Sequence, residues 1–279
     1  MPYLKPIGVE IRTTPMDDPA PASASAAALH SLRRSLPHRL KAGGIHLSLS
    51  AVIFGAALYL ILVQWYPGFH FLADGGWQGV RIMAAVDLVL GPALTFIIFN
   101  PFKARRLIVF DLTCIGLVQL GALIWGFYAV HGQRPVSINF HDGLFYSMPA
   151  RSLRAQGAAP EVLARLSGRR PALVYVTPPA DAAERRRVGE QAAAGRMAYE
   201  DSFFFRAFEP HWPDVQRAAA REPPMQDPSF ARDLPGFLSR HGGRASDYRF
   251  FRYQGGYGSC VLALNAAGAV VDALGCETA

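Results

Sequence analysis

Three long runs of apolar residues lie in the first half of the chain, within residues 44–131. They cover residues 45–63, 82–99 and 107–130. At a rise of about 1.5 Å per residue, each run is long enough as a helix to cross a hydrocarbon core of roughly 30 Å. Aromatic residues typical of membrane interfaces lie at or near the ends of these runs: Trp65, Tyr66, Trp77, Trp125 and Tyr128. The pattern predicts three transmembrane helices; buried helices of a soluble protein are the alternative.

The first run is 19 residues long and carries no formal charge. A secretory signal peptide is the alternative interpretation of such a run. However, it begins more than 40 residues into the chain and no Ala-x-Ala site follows it. It is also longer than the apolar core of about 7–15 residues that signal peptides have. We therefore expect the run to remain as a membrane anchor.

The segment before the first run, residues 1–43, contains no long apolar run. It is rich in Pro, Ala and Ser between Pro15 and Ala28 and ends in a basic stretch. Because low hydrophobicity cannot offset the entropy lost on ordering a chain, we predict a disordered, basic N-terminal extension. A start site further along the chain, at Met16, is the other interpretation of this segment.

Short loops between membrane helices indicate their orientation, because Lys and Arg prefer the cytoplasmic side. Four basic residues precede the first run within 13 positions, and three more lie between the second and third runs: Arg33, Arg34, Arg39, Lys41, Lys103, Arg105 and Arg106. The loop between the first two runs has Arg81 at its far edge as its one basic residue. We therefore predict a multi-pass protein of a bacterial inner membrane, with a cytoplasmic N-terminus and a periplasmic C-terminal domain.

The remaining residues, 132–279, have the length and mixed pattern of a folded domain. Alternation predicts a strand at Val136–Phe140, and β-branched residues predict another at Ala172–Thr177. A helix is predicted at Phe230–Arg240 despite Pro235. These elements predict an α+β domain with a small antiparallel sheet. The predicted fold class is therefore three transmembrane α-helices followed by an α+β periplasmic domain.

Two cysteines, Cys260 and Cys276, lie 16 residues apart near the end of this domain, on either side of two β-rich runs. An Asn-Ala-Ala-Gly turn between two β-rich runs predicts a hairpin, which brings its two ends together. An oxidising periplasm permits a disulfide between them, whereas two unpaired buried thiols are the alternative. Since no Cys-x-x-Cys motif is present, we do not expect a thiol oxidoreductase.

Composition and charge narrow the class of protein. Apolar residues make up 51% of the chain and charged residues 18%, against about 25% charged in soluble domains. The net charge is +7, but the excess of basic residues lies in the first 106 residues rather than in the predicted folded domain. A nucleic-acid binder usually carries its basic patch on a soluble face. We therefore expect the lipid bilayer, and not nucleic acid, as a partner.

Asp87 is the most informative single residue, because it lies inside the second apolar run. A carboxylate at that depth is costly, and it usually faces protein, water or a partner. A polar contact with a partner helix or an internal proton site is one interpretation. A hydrogen bond within the protein itself, to Gln119 or Arg81, is the other. The nearby Pro92 is expected to bend the second helix, since proline lacks a backbone donor.

The predicted outer loop, Ala73–Gly79, is rich in glycine but lacks the Lys-Ser/Thr of a phosphate-binding loop. It is typical of a tight turn anchored at the interface by Trp77. Asp74 and Trp77 in this loop are candidate contacts for a partner protein, as is Asp87 in the second apolar run.

No catalytic, cofactor-binding or metal site is predicted. The histidines expected outside the membrane show no paired metal-ligand spacing with Cys or a carboxylate. Ser259 lacks the Gly-x-Ser-x-Gly pattern of a nucleophile elbow. The sequence therefore favours a protein that is not an enzyme and needs no cofactor.

Several short motifs in the first half of the chain are distinctive when taken together: Leu40–Leu47, Trp65–Pro67, Ala73–Gly79, Val86–Pro92, Phe99–Pro101 and Arg134–Pro135. Over roughly residues 38–146, the chain resembles the type IV pilin accessory proteins of the TfpX/TfpZ kind. The resemblance implies an inner-membrane protein that assists a type IV major pilin in its stability or in pilus assembly. It implies no catalytic residue.

Contact with the pilin helix and with the pilin head is the mode of action expected from this architecture. A chaperone, an assembly factor and a regulator of pilin degradation stay open as roles. Two other classes also stay open: a membrane enzyme that modifies pilin, and an anchored sensor or structural component of another envelope machine.

Overall fold

A computed structural model describes residues 21–219 and 228–278 of the chain. Its first half consists of three long helices. The first long helix is α1 (Pro21–Tyr59), which continues as a π-helical segment at Leu60–Trp65. A short helix, α2 (His70–Ala73), lies in the loop that follows. The second long helix consists of α3 (Gly76–Ala84), a π-helical segment at Ala85–Leu90, and α4 (Gly91–Ile98), and the third is α5 (Arg105–Gln133). The π-helical segment of the second helix lies directly before Pro92, which has no N–H to complete a regular α-helical turn.

All three helices are long and apolar enough to cross a membrane, over Arg33–Trp65, Gly76–Ile98 and Arg105–Gln133. Many of their large apolar side chains are exposed, Leu117 and Val118 among them. Exposed apolar surface of this extent is unfavourable in water and favourable in lipid. The predicted three apolar helices are therefore confirmed, although each extends beyond its predicted apolar run.

The predicted disordered extension, residues 1–43, is described by the structure only in its second half. Residues 1–20 lie outside the described residues, whereas residues 21–43 belong to α1, which also contains Pro37. Alanine is the best helix former, and residues joined to an established helix do not have to nucleate a new one. The alanine-rich stretch can therefore continue the helix that the apolar run forms.

The second half of the described chain is built on a mixed seven-stranded sheet of order β4-β3-β1-β2-β5-β6-β7. The strands are β1 (Pro135–His141), β2 (Leu144–Pro149), β3 (Ala172–Val176), β4 (Phe205–Ala207), β5 (Arg249–Gln254), β6 (Gly258–Leu264) and β7 (Val270–Thr278). Two pairs, β1 with β3 and β2 with β5, are parallel. The expectation of a small antiparallel sheet was therefore wrong, whereas the α+β class is confirmed.

Helices cover the sheet and enclose three apolar clusters. They are α6 (Ala150–Ala155), α7 (Glu161–Leu166), α8 (Ala182–Ala193), α9 (Trp212–Ala219) and α10 (Pro228–His241). Within the largest cluster, Phe145 packs edge-on against Phe251, with ring centroids 5.2 Å apart. α10 forms as predicted, with Pro235 inside it and Phe237 fully buried against the sheet.

The predicted disulfide is present between Cys260 on β6 and Cys276 on β7. Its two Cα atoms are 4.3 Å apart, and the bond links the strands of the terminal hairpin. Cys114, on α5, is a free and exposed thiol. The two strands of the hairpin are thus held together by backbone hydrogen bonds and by a covalent bond.

Candidate functional site

The loop between the first two helices meets the α+β domain in a buried polar cluster, which we call the junction: His70, Asp74, Tyr253 and Gly256. Tyr253 donates its hydroxyl to Asp74 Oδ2 at 2.7 Å, and His70 Nδ1 lies 2.5 Å from the same oxygen. The other carboxylate oxygen accepts the backbone N–H of Gly256 at 3.2 Å. None of the three side chains is more than 3% exposed. The junction therefore attaches the loop firmly to the sheet.

Local sequence explains how the loop reaches this position. One turn of α2 places His70 and Asp74 four residues apart on the same face. Gly75 then turns the chain with a φ of +98°, a conformation that glycine adopts without strain, and α3 begins at Gly76. On the opposite side, Tyr257 in the β5–β6 turn donates its backbone N–H to the carbonyl oxygen of Ala73 at 2.9 Å.

Burial, and the negative charge of Asp74 beside it, raise the pKa of Tyr253 well above its ordinary value. The hydroxyl therefore stays protonated and remains a donor to Asp74 at neutral pH. Both oxygens of Asp74 are occupied by partners within the chain. This arrangement is typical of a structural contact, here between the loop and the sheet.

The structure separates two of the candidate partner contacts predicted in the outer loop. Asp74, predicted as a partner contact, is buried and hydrogen-bonded within the junction. Trp77, at the start of α3, is 42% exposed, with the guanidinium of Arg81 5.9 Å from its ring centroid. Trp77 thus remains accessible at this end of the helices.

Asp87 lies in a second polar cluster, between the three long helices. It borders a cavity of about 160 Å³, the intramembrane cleft, whose lining includes His46, Ser50, Gln119 and Leu120. The amide of Gln119 donates to the backbone oxygen of Asp87 at 3.4 Å. Asp87 is 5% exposed, and its Oδ2 atom has no hydrogen-bond partner among the described residues.

Of the two predicted partners of Asp87 within the protein, Gln119 contacts it and Arg81 does not. Gln119 interacts with both the backbone oxygen and the side chain of Asp87. The Oδ2 atom of Asp87 and the Oε1 atom of Gln119 nevertheless have no partner among the described residues. Arg81 lies over Trp77 instead. A buried polar atom without a partner typically costs about 1–3 kcal/mol. A donor that entered the cleft from outside could recover that energy.

No metal-binding group of three or more His, Cys, Asp or Glu side chains occurs within residues 21–219 and 228–278. The pairing of His70 with Asp74 was not recognised in the sequence, and neither was the role of Tyr253. A signal for the first was present, because His and Asp four residues apart share one face of a helix. Tyr253 carried no such signal, since it is 179 residues from Asp74 along the chain.

Gly255 provides a direct test of the junction. A Cβ at this position would overlap the carbonyl group of Ala73, 2.7 Å from its carbon, and would lie 2.9 Å from Asp74 Oδ1. Overpacking of this kind typically costs about 1–3 kcal/mol. We therefore expect Gly255→Ala to lower the unfolding midpoint of the full chain in detergent, measured by circular dichroism. Gly256→Ala is the matched control, because a Cβ there meets nothing within 4 Å; equal effects of both variants would contradict the close approach.

Three long apolar helices, joined through a buried polar junction to an α+β domain, define the chain as a membrane protein. Its curated relatives identify the family. A fimbrial assembly protein of Dichelobacter nodosus, serogroups C1 and C2, is 34% identical over 100 residues, which are 36% of this chain and 76% of the relative. The chain therefore belongs to the fimbrial assembly protein family.

Two further fimbrial assembly proteins of Dichelobacter nodosus are similar to this chain over the same number of residues. Those of serogroup E1 and serogroup I are 36% and 34% identical over 100 residues. The chain spans only 39% of the length of each of these two relatives. No protein-family model matches the chain, and no solved structure matches it.

Proposed function

We propose that this chain is an inner-membrane accessory protein that assists a type IV pilin, in its stability or in its assembly, by contact and without catalysis. The relatives named as fimbrial assembly proteins support an assembly role. We place the N-terminus in the cytoplasm and the α+β domain in the periplasm. The disulfide between Cys260 and Cys276 supports this orientation, because disulfides persist in oxidising compartments.

In this proposal the apolar helix of the pilin packs against the membrane helices at the mouth of the intramembrane cleft, and one of its side chains enters the cleft. The α+β domain contacts the globular head of the pilin. The observation that carries the proposal is the buried Oδ2 atom of Asp87, which has no partner among the described residues and lines the cleft. Exposed apolar side chains of α5, such as Leu120, border the same cleft. A helix with a hydrogen-bond donor at this depth would satisfy the carboxylate, and the exposed Trp77 is proposed as a further contact.

Crosslinking from α5 tests the cleft directly. A photoreactive amino acid at Leu120, which lines the cleft, is expected to crosslink to pilin in membranes of a piliated strain. Val118 is the matched control, because it is also exposed but lies about 200° away around the same helix. Equal yields of crosslinked pilin from both positions would contradict the cleft as the contact. Absence of pilin from both products would contradict the proposed contact itself.

Deletion of the gene distinguishes the two proposed roles. A fall in total pilin that a plasmid copy restores indicates protection of pilin, whereas a fall in sheared surface pili alone indicates an assembly step. The complementing copy is also tested as Asp87→Asn, with Asp111→Asn as control, since Asp111 is ion-paired with Lys103 at 2.7 Å. Unchanged total and surface pilin in the deletion strain would refute the proposed function. Full complementation by Asp87→Asn would remove Asp87 from it.

A further inference from the structure

A second cavity lies where the helices meet the α+β domain, and it is lined by basic side chains. Its volume is about 580 Å³. Its lining includes Trp65 at the end of the first helix and Arg134 immediately after the third helix. Arg169 and Arg170, in the loop before β3, also line it and are exposed. We call this cavity the arginine groove.

The positive charge of the arginine groove is not neutralised within the described part of the chain. Its lining contains no Asp or Glu, and none of its three arginines forms an ion pair with a described residue. Other arginines of the domain do form such pairs: Arg187, Arg217, Arg232 and Arg240. Burial and the nearby charge of Arg154 lower the pKa of Arg134, in keeping with a site of excess positive charge.

The position of the groove indicates the depth at which it meets a bilayer. The first and third helices run in the same direction, so Trp65 and Arg134 mark the same membrane boundary. Tryptophan at the end of a membrane helix lies at the level of the lipid headgroups. Exposed apolar residues of the first helix, Leu62 and Val63, precede this boundary and can lie along acyl chains.

Arginine suits the recognition of a phosphate at this boundary. Its planar guanidinium donates two parallel hydrogen bonds to phosphate oxygens. Arg134 is held in place by donating to the backbone oxygen of His131 at 2.7 Å, and Arg169 and Arg170 face the same space. Basic pockets beside membrane helices bind anionic headgroups in this manner.

We propose that the arginine groove is a binding site for the phosphate of an anionic phospholipid, with Arg169 and Arg170 contacting the phosphate and Arg134 at its inner end. The acyl chains extend past Trp65 along the first helix. This site lies apart from the intramembrane cleft and does not depend on the proposed contact with pilin. The same chemistry would accept free phosphate, which the experiment distinguishes from a lipid.

The full chain in zwitterionic micelles is titrated with dihexanoyl phosphatidylglycerol, and tryptophan fluorescence reports binding. The expected result is a saturable change that the variant Trp65→Phe abolishes. Dihexanoyl phosphatidylcholine, which carries a phosphate but no net charge, is expected to bind much more weakly. Sodium chloride is expected to weaken the phosphatidylglycerol signal, because the site is open to solvent.

Charge-neutralising variants test the residues. The double variant Arg169→Gln/Arg170→Gln is expected to weaken phosphatidylglycerol binding about tenfold or more. Arg185→Gln/Arg186→Gln is the matched control, since it removes two exposed arginines from α8 and is expected to leave binding unchanged. If folding of the first variant is altered by circular dichroism, Arg169→Lys/Arg170→Lys replaces it and is expected to bind more weakly than the wild type.

Three results would overturn the lipid site: equal binding of phosphatidylcholine, equal weakening by both arginine pairs, or no effect of the groove variants. Inorganic phosphate provides the remaining arm of the test. Saturation by phosphate at the same concentration as by phosphatidylglycerol, with the same loss in the groove variant, would make free phosphate the ligand and refute the lipid. Weaker binding of free phosphate is the result that the proposal expects.

Discussion

Replacing Asp74 by alanine is expected to lower the free energy of unfolding by about 3 kcal/mol or more. The substitution removes the Asp74 oxygens that accept the Tyr253 hydroxyl and the Gly256 N–H. It also leaves His70 Nδ1 with the Tyr253 hydroxyl, 3.2 Å away, as its remaining side-chain partner in the junction. Each buried donor left without an acceptor typically costs about 1–3 kcal/mol. All three side chains of the junction are buried, so little solvent is available to replace the lost acceptor in the folded protein.

Denaturant-induced unfolding of the full chain in detergent, followed by near-UV circular dichroism, measures this effect. Asp74→Asn keeps an acceptor oxygen and is expected to cost less than Asp74→Ala. Glu190→Ala is the control, because it removes an exposed carboxylate from α8 and should change stability by no more than about 0.5 kcal/mol. If Asp74→Ala were as stable as Glu190→Ala, the junction would not contribute to the fold.

Removing the disulfide is expected to lower the free energy of unfolding by about 3 kcal/mol on the chain-entropy model of loop closure. The bond joins residues 16 apart in the sequence, and Cys260 is buried in the core of the domain. The double variant Cys260→Ser/Cys276→Ser and the reduced wild type should therefore unfold at a similar, lower denaturant concentration.

Cys114→Ser provides the control for this experiment, because Cys114 is a free and exposed thiol on α5. It should leave the unfolding midpoint unchanged in oxidising conditions and should still respond to reductant. A wild-type midpoint that does not move on reduction, with loss of the disulfide verified by thiol labelling, would show that the bond contributes no stability.

Features encoded by short stretches of sequence could be predicted, and those made by distant residues could not. The three helices follow from apolar runs, and the disulfide follows from one hairpin. α10 forms despite Pro235 because its apolar face packs on the sheet. The parallel pairing of β2 with β5 is different, since it joins strands about a hundred residues apart with no local signal.

The same reasoning explains why the surroundings of Asp74 could not be predicted. A carboxylate in a glycine-rich loop is expected to face solvent, and its local sequence supports that expectation. Its acceptors are used by Tyr253 and Gly256, which only the folded sheet brings near. Asp87 is the opposite case, because its depth in an apolar run marked it as unusual from the sequence. The structure places it beside the intramembrane cleft, where one of its oxygens has no partner within residues 21–219 and 228–278.

The junction gives the α+β domain a second point of attachment to the helices. The polypeptide itself is the first, where α5 passes into β1 at Arg134. A domain attached through one linker can rotate about that linker, whereas a domain attached at two separate points resists this rotation. Tyr66, which follows the first helix, also links that helix to the third one, because its hydroxyl donates to the carbonyl oxygen of Val130 at 2.7 Å. Rotation of the sheet relative to the helices would therefore have to break the hydrogen bonds of the junction as well as bend the chain at Arg134.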